Sequence, residues 1–78
     1  MTVIEEAVIK VVTKELRLKD GAVTLESNFR EELGVDSLDA LEIVVALEDY
    51  FKMELPTTTH EHIVTVQDAV NAVIEHKG

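Results

Sequence analysis

Three stretches of this chain repeat apolar residues at intervals of three and four, the spacing that lines one face of a helix. They are Ile4, Ala7, Val8, Val11, Val12 and Leu16; then Ala40, Ile43, Val44, Leu47 and Phe51; then Val66, Ala69, Val70, Val73 and Ile74. In 78 residues these faces can share only one small core. The expectation is therefore a single all-α domain over residues 1–78. It is a four-helix bundle made of three main helices plus a short third one, with a long loop between the first two. The only aromatic residues are Phe29, Tyr50 and Phe51, so Val, Ile, Leu and Ala must build the core. With no cysteine there is neither a disulfide nor a thiolate metal site, and a core of this size rarely leaves more than roughly 3–5 kcal/mol of net stability.

Local signals place the boundaries. Thr2-Val3-Ile4-Glu5 has the form of a capping box and starts a helix that runs to about Leu16. The loop from Arg17 to Asp36 contains the turn pair Asp20-Gly21 and, at Ser27-Asn28, a cap for a short turn reaching Leu33-Gly34. Its apolar residues Leu18, Val23, Leu25, Phe29, Leu33 and Val35 are expected to pin it over the bundle. Asp36 suits an N-cap, and Asp39 suits the positive end of the helix dipole, so the second helix is predicted over Ser37–Phe51. Pro56 and three threonines interrupt the chain before a short turn at about His60–Ile63. Thr65 then caps the last helix, whose C-terminal end Lys77 favours.

The net charge of −9 is unevenly placed. Residues 1–20 carry four acids and four bases, whereas residues 21–78 carry twelve acids and three bases. Such a surface repels nucleic acid and anionic membranes and draws basic protein patches. The same charge also serves solubility. No run approaches about 18 uninterrupted apolar residues and no signal-peptide pattern opens the chain, so a soluble, cytoplasmic monomer without membrane insertion is expected.

The second helix carries more apolar residues than one face needs. Besides the stripe from Ala40 to Phe51, Leu38, Leu41 and Val45 form another, interleaved with Asp39, Glu42, Glu48 and Asp49. That second stripe is either part of a wide core face or an acid-rimmed surface that meets a partner. Ser37 stands at the start of this helix beside Leu38. The only histidines, His60, His62 and His76, are remote in sequence, so Ser37 lacks the base that a serine nucleophile needs. It is either an attachment point or simply a serine tolerated in a first turn. His60-Glu61-His62 lacks further ligands, and no metal site is expected there.

Gly34-Val35-Asp36-Ser37-Leu38-Asp39-Ala40-Leu41-Glu42, continued to Phe51, resembles the attachment motif and second helix of acyl carrier proteins. Phe29-x-x-x-Leu33-Gly34 before it, Pro56 after it, and Thr65-Val66-Gln67-Asp68-Ala69-Val70 near the end extend the likeness over nearly the whole chain. The resemblance implies a four-helix bundle whose serine, here Ser37, receives 4′-phosphopantetheine from coenzyme A. A separate, magnesium-using phosphopantetheinyl transferase attaches it. The arm's thiol then carries acyl groups as thioesters, so the chain is a carrier and not an enzyme.

By position, the family's partner surface falls on Asp36, Leu38, Asp39, Leu41, Glu42, Val45, Glu48 and Asp49, with Glu61 and Ile63 beyond Pro56. The implied partners are enzymes of acyl transfer and of fatty-acid or polyketide synthesis with basic docking patches. Type II fatty-acid synthesis is the expected pathway. A specialised carrier for polyketide, peptide or other acyl assembly, or a non-carrying adaptor, are the alternatives. Two features depart from the family pattern: Thr57-Thr58-Thr59-His60-Glu61-His62 stands where many fatty-acid carriers are strongly acidic, and Tyr50 and Lys52 replace what is often acid. Reversal of Glu42 and Glu48 to Lys is expected to slow transfer and leave helix content intact.

Overall fold

Thr2 starts the first helix through the predicted capping box, its Oγ1 accepting from the Glu5 amide at 3.1 Å while the Glu5 carboxylate accepts from the Thr2 amide at 2.7 Å. A computed structural model describes residues 1–77 and gives four helices: α1 (Val3–Glu15), α2 (Ser37–Phe51), α3 (Thr59–His62) and α4 (Val66–Lys77). Helix α1 packs against α2 and α4, and α3 packs against α2. Their shared interior is closed by Val8, Val12, Ile43, Leu47, Val66, Val70 and Val73, with Phe29 contributed from the connection between α1 and α2. Five of those eight side chains are valines, stiff at χ1 and small, which suits a thin bundle.

Residues 16–36 cross the bundle through turns and contain no helix. Side chains pin this segment as expected at Val23, Phe29 and Val35, all buried, while Leu25 and Leu33 are half-buried. Backbone bonds add a tie that local patterns do not announce. The first amides of α4 have no partner within their own helix. Val66 N–H donates to Ser27 O at 3.0 Å and Gln67 N–H to Leu25 O at 2.9 Å, and Phe29 N–H reaches Val64 O at 2.9 Å. The connection thus caps α4 with its own carbonyls. Thr65 and Asp68 complete that start: Asp68 Oδ2 accepts from the Val64 and Thr65 amides at 2.9 and 3.0 Å. The Thr65 amide, opposed by partial burial and helped by the Val64 amide, holds the Asp68 carboxyl below its ordinary value.

Four expectations change. Leu18 is 37% exposed and stays outside the core; it follows Arg17, which takes a left-handed conformation (φ 57°) just beyond α1. Ile74 is 54% exposed, whereas α4 meets the bundle through buried Val66, Ala69, Val70 and Val73, with Ala72 half-buried beside them. The short helix starts one residue earlier than predicted, at Thr59, with Thr58 giving no side-chain cap. Ile63, expected on the partner surface, is only 8% exposed: it ends α3 in extended conformation and its side chain joins the core.

Candidate functional site

The start of α2 is built by Gly34, Val35, Asp36 and Asp39. Gly34 adopts φ +68°, a region that side-chain-bearing residues rarely enter, and so reverses the chain just before the helix. Val35 then buries, and its amide donates to Phe29 O at 2.8 Å. Asp36 is extended and caps the helix, Oδ1 accepting from the Asp39 amide at 2.8 Å. Asp39 Oδ2 returns the bond to the Asp36 amide at 3.2 Å. These two carboxylates were expected to offer charge to a partner. They also hold the helix end in place, which fixes the first of the two residues between them.

That residue, Ser37, is the first of α2 and is exposed. Its Oγ lies 3.5 Å from Nη2 of Arg30, which reaches over from the preceding turn. A guanidinium has five donors and no acceptor, so this neighbour cannot take the hydroxyl proton. The hydroxyl is presented without activation. It can be esterified without displacing packed side chains, and an anionic ester there would lie at the amide end of α2.

Along α2 from Ser37, Leu38, Leu41 and Val45 are 64%, 41% and 55% exposed. Leu41, Glu42, Val45, Ala46 and Asp49 line an open groove, joined from α1 by Glu15. Glu42, Asp49 and Glu61 are exposed. Glu48 is not a free rim charge, since its Oε2 accepts from the Leu55 amide at 2.8 Å and latches the chain beyond α2. Its reversal to Lys would break that latch, so only the Glu42 half of the expected double reversal is free of structural cost. Ile63 lies in the core and does not join the face.

Sequence reasoning missed Arg30 and Glu15. Arg30 was open to discovery as the only base between Lys19 and Lys52. Glu15 reaches the groove through helix packing and leaves no local signal. His62 is exposed, while half-buried His60 keeps Nδ1 buried without a hydrogen-bond partner. Among the described residues no group of three or more acids or histidines is arranged to hold a metal ion, and no helix is long and apolar enough to cross a membrane.

The family model described as the phosphopantetheine attachment site matches residues 6–73 of the chain. Among solved structures, the chain is similar to a proposed acyl carrier protein from Mycobacterium tuberculosis. The two are 29% identical with a TM-score of 0.83, over 94% of this chain and 97% of the other.

Proposed function

The chain belongs to the phosphopantetheine-attachment family of acyl carrier proteins, and on that premise we propose that Ser37 is its attachment point and that the loaded protein serves type II fatty-acid synthesis. The observation that carries this reading is the placement of Ser37. It is an exposed hydroxyl at the first position of a firmly capped helix, with a cation and no base beside it. Covalent 4′-phosphopantetheine is the family's cofactor and supplies the thiol that holds the acyl chain. The residues present fit such a group, because Ser37 is exposed and the free amides of α2 favour an anion.

In loading, Ser37 Oγ bonds to the phosphorus of the pantetheine-bearing phosphate of coenzyme A. Its proton passes to a base of the phosphopantetheinyl transferase, and the nucleotide portion leaves. The chain's own part is presentation. Asp36 and Asp39 hold the helix start, and Leu38, Leu41 and Val45 offer a small apolar contact to partner enzymes. Glu42, Asp49 and Glu61 would speed encounter with basic patches. Each exposed acid contributes only about 0–1 kcal/mol, which suits a carrier that must leave each enzyme. On this reading the protein is acted upon and does not catalyse. A specialised acyl carrier is the second reading, favoured by the neutral Thr57–Thr59 segment and His62 near the end of the face.

Incubation with coenzyme A and a broad-specificity transferase tests the reading by intact mass. One phosphopantetheine is expected on the wild type and none on Ser37→Ala. Addition that survives Ser37→Ala would reject Ser37, and no addition to the wild type would favour the adaptor alternative.

A further inference from the structure

The turn before α2 carries a cation whose position neither the fold nor the capping explains. Between Lys19 and Lys52 the chain has nine acids and one base, Arg30. In so acidic a segment a guanidinium would be expected to settle on a carboxylate, yet it bonds Ser37 Oγ at 3.5 Å. Three carboxylates of this segment are committed to backbone amides: Glu32 to that of Asn28, Asp36 to that of Asp39, and Asp39 to that of Asp36. The base of the Arg30 side chain is also fixed. Its amide donates to Asn28 Oδ1 at 3.0 Å, as does that of Glu31 at 2.9 Å, which closes the turn. Phe29, the residue before it, is 1% exposed and bonded on both sides, to Val64 and to Val35. Arg30 is thus anchored at its backbone, exposed, and placed with its guanidinium beside the hydroxyl.

We infer that Arg30 is a positioning residue for the phosphodiester attached at Ser37, which rests on Ser37 being the attachment point. At 3.5 Å the contact with the neutral hydroxyl is at the outer limit of a hydrogen bond and holds little. Esterification makes Oγ a bridging oxygen and places two non-bridging oxygens, which share one negative charge, two bonds beyond it and beside the same guanidinium. The planar fork then meets the acceptor geometry it matches best, two parallel charge-assisted bonds to phosphate. It also offsets the repulsion between the new charge and the carboxylates of Asp36 and Asp39. Arg30 would therefore fix the direction in which the arm leaves the protein while leaving its thiol end free.

The test compares wild type, Arg30→Gln and Arg30→Lys, each loaded by a transferase and verified by mass. The 31P resonance of the protein-bound phosphodiester is followed from about 0.05 to 1 M salt. In the wild type the resonance should move as salt weakens the contact, and the Arg30 guanidinium proton signals should shift on loading. In Arg30→Gln the 31P salt response should be lost, and in Arg30→Lys, a point charge without the fork, it should be partly kept. Circular dichroism of the unloaded variants should match the wild type, since Arg30 is exposed. Loaded proteins whose 31P spectra coincide at low salt, or wild-type guanidinium signals unmoved by loading, would overturn the role of Arg30 and leave Ser37 attachment standing. Failure of the wild type to load at all would overturn both.

Discussion

Helix α2 carries two apolar stripes of similar side chains that meet different surroundings. Ala40, Ile43, Val44 and Leu47 are buried against α1 and α3, whereas Leu38, Leu41 and Val45 lie bare beside a groove edged by Glu15, Glu42 and Asp49. Hydrophobicity does not distinguish them, and the position of neighbouring helices does. A stripe left in water contributes nothing to folding and raises the risk of association. Its flanking acids offset that risk by charge repulsion and leave the face open to a partner that brings the opposite charge. One stripe thus holds the fold together and the other is free for use.

The largest effect should come from truncating one residue in each stripe. Ile43→Ala removes a fully buried side chain and is expected to cost about 2–5 kcal/mol, comparable with the roughly 3–5 kcal/mol that a domain of this size holds. Most of that variant should be unfolded at room temperature by circular dichroism. Val45→Ala should stay within about 0.5 kcal/mol of wild type. Similar losses at both positions would break the comparison, because they would mean that the second stripe is covered.

The acids of α2 divide in the same way, which sharpens the contrast from stripes to single residues. Glu48 satisfies the amide of Leu55, a buried residue, while Glu42 is exposed with no structural task. Glu48→Ala orphans that amide and is expected to cost about 1–3 kcal/mol in denaturant unfolding. A loss below about 0.5 kcal/mol would return Glu48 to the free rim.

How much of this the chain announces depends on the reach of each interaction. The start of α2 was legible, since Gly34 and Asp36 act on the backbone within a few residues of themselves, whereas its end is set by Lys52, which takes a left-handed conformation (φ 54°). So was the Thr2–Glu5 box. The exposed position of Ser37 and most of the acid-rimmed stripe were legible because helical spacing alone puts Leu38, Leu41 and Val45 on one side. What escaped depends on segments distant in sequence. Ser27 and Leu25 satisfy the amides of α4 across some forty residues, Ile63 turns inward where α3 ends, and Ile74 lies beyond the reach of the bundle. The tie between Asp36 and Asp39 was half seen, as a cap and a dipole effect and not as a reciprocal pair.

The start of α4 offers a smaller, pH-dependent counterpart to the start of α2. Asp68 titrates below its ordinary value of 3.8, mainly because the Thr65 amide bonds its charged form. A carboxyl with a depressed folded value stabilises above its unfolded value, and that contribution is lost as pH falls through the folded one. Asp68→Asn is therefore expected to be less stable than wild type at neutral pH by about 1 kcal/mol, as for other caps. The two proteins should converge once pH drops below the depressed value. A gap that persists under strong acid would assign the loss to packing and not to charge.

The smallest effect on stability should mark the largest separation of roles. Glu42 lies on the groove with Leu41 and Val45, is exposed and bonds no backbone amide in α2, so Glu42→Lys should change unfolding free energy by no more than about 0.5 kcal/mol. If the bare stripe is where partners dock, the same change places a like charge before a basic patch. Transfer to a partner enzyme should then slow through association, most at low salt and least near about 1 M, where exposed charges are screened within a few ångströms. A transfer rate indifferent to Glu42→Lys at low salt would mean that partners approach elsewhere. The groove would then be an uncovered gap between α1 and α2 with no part in docking.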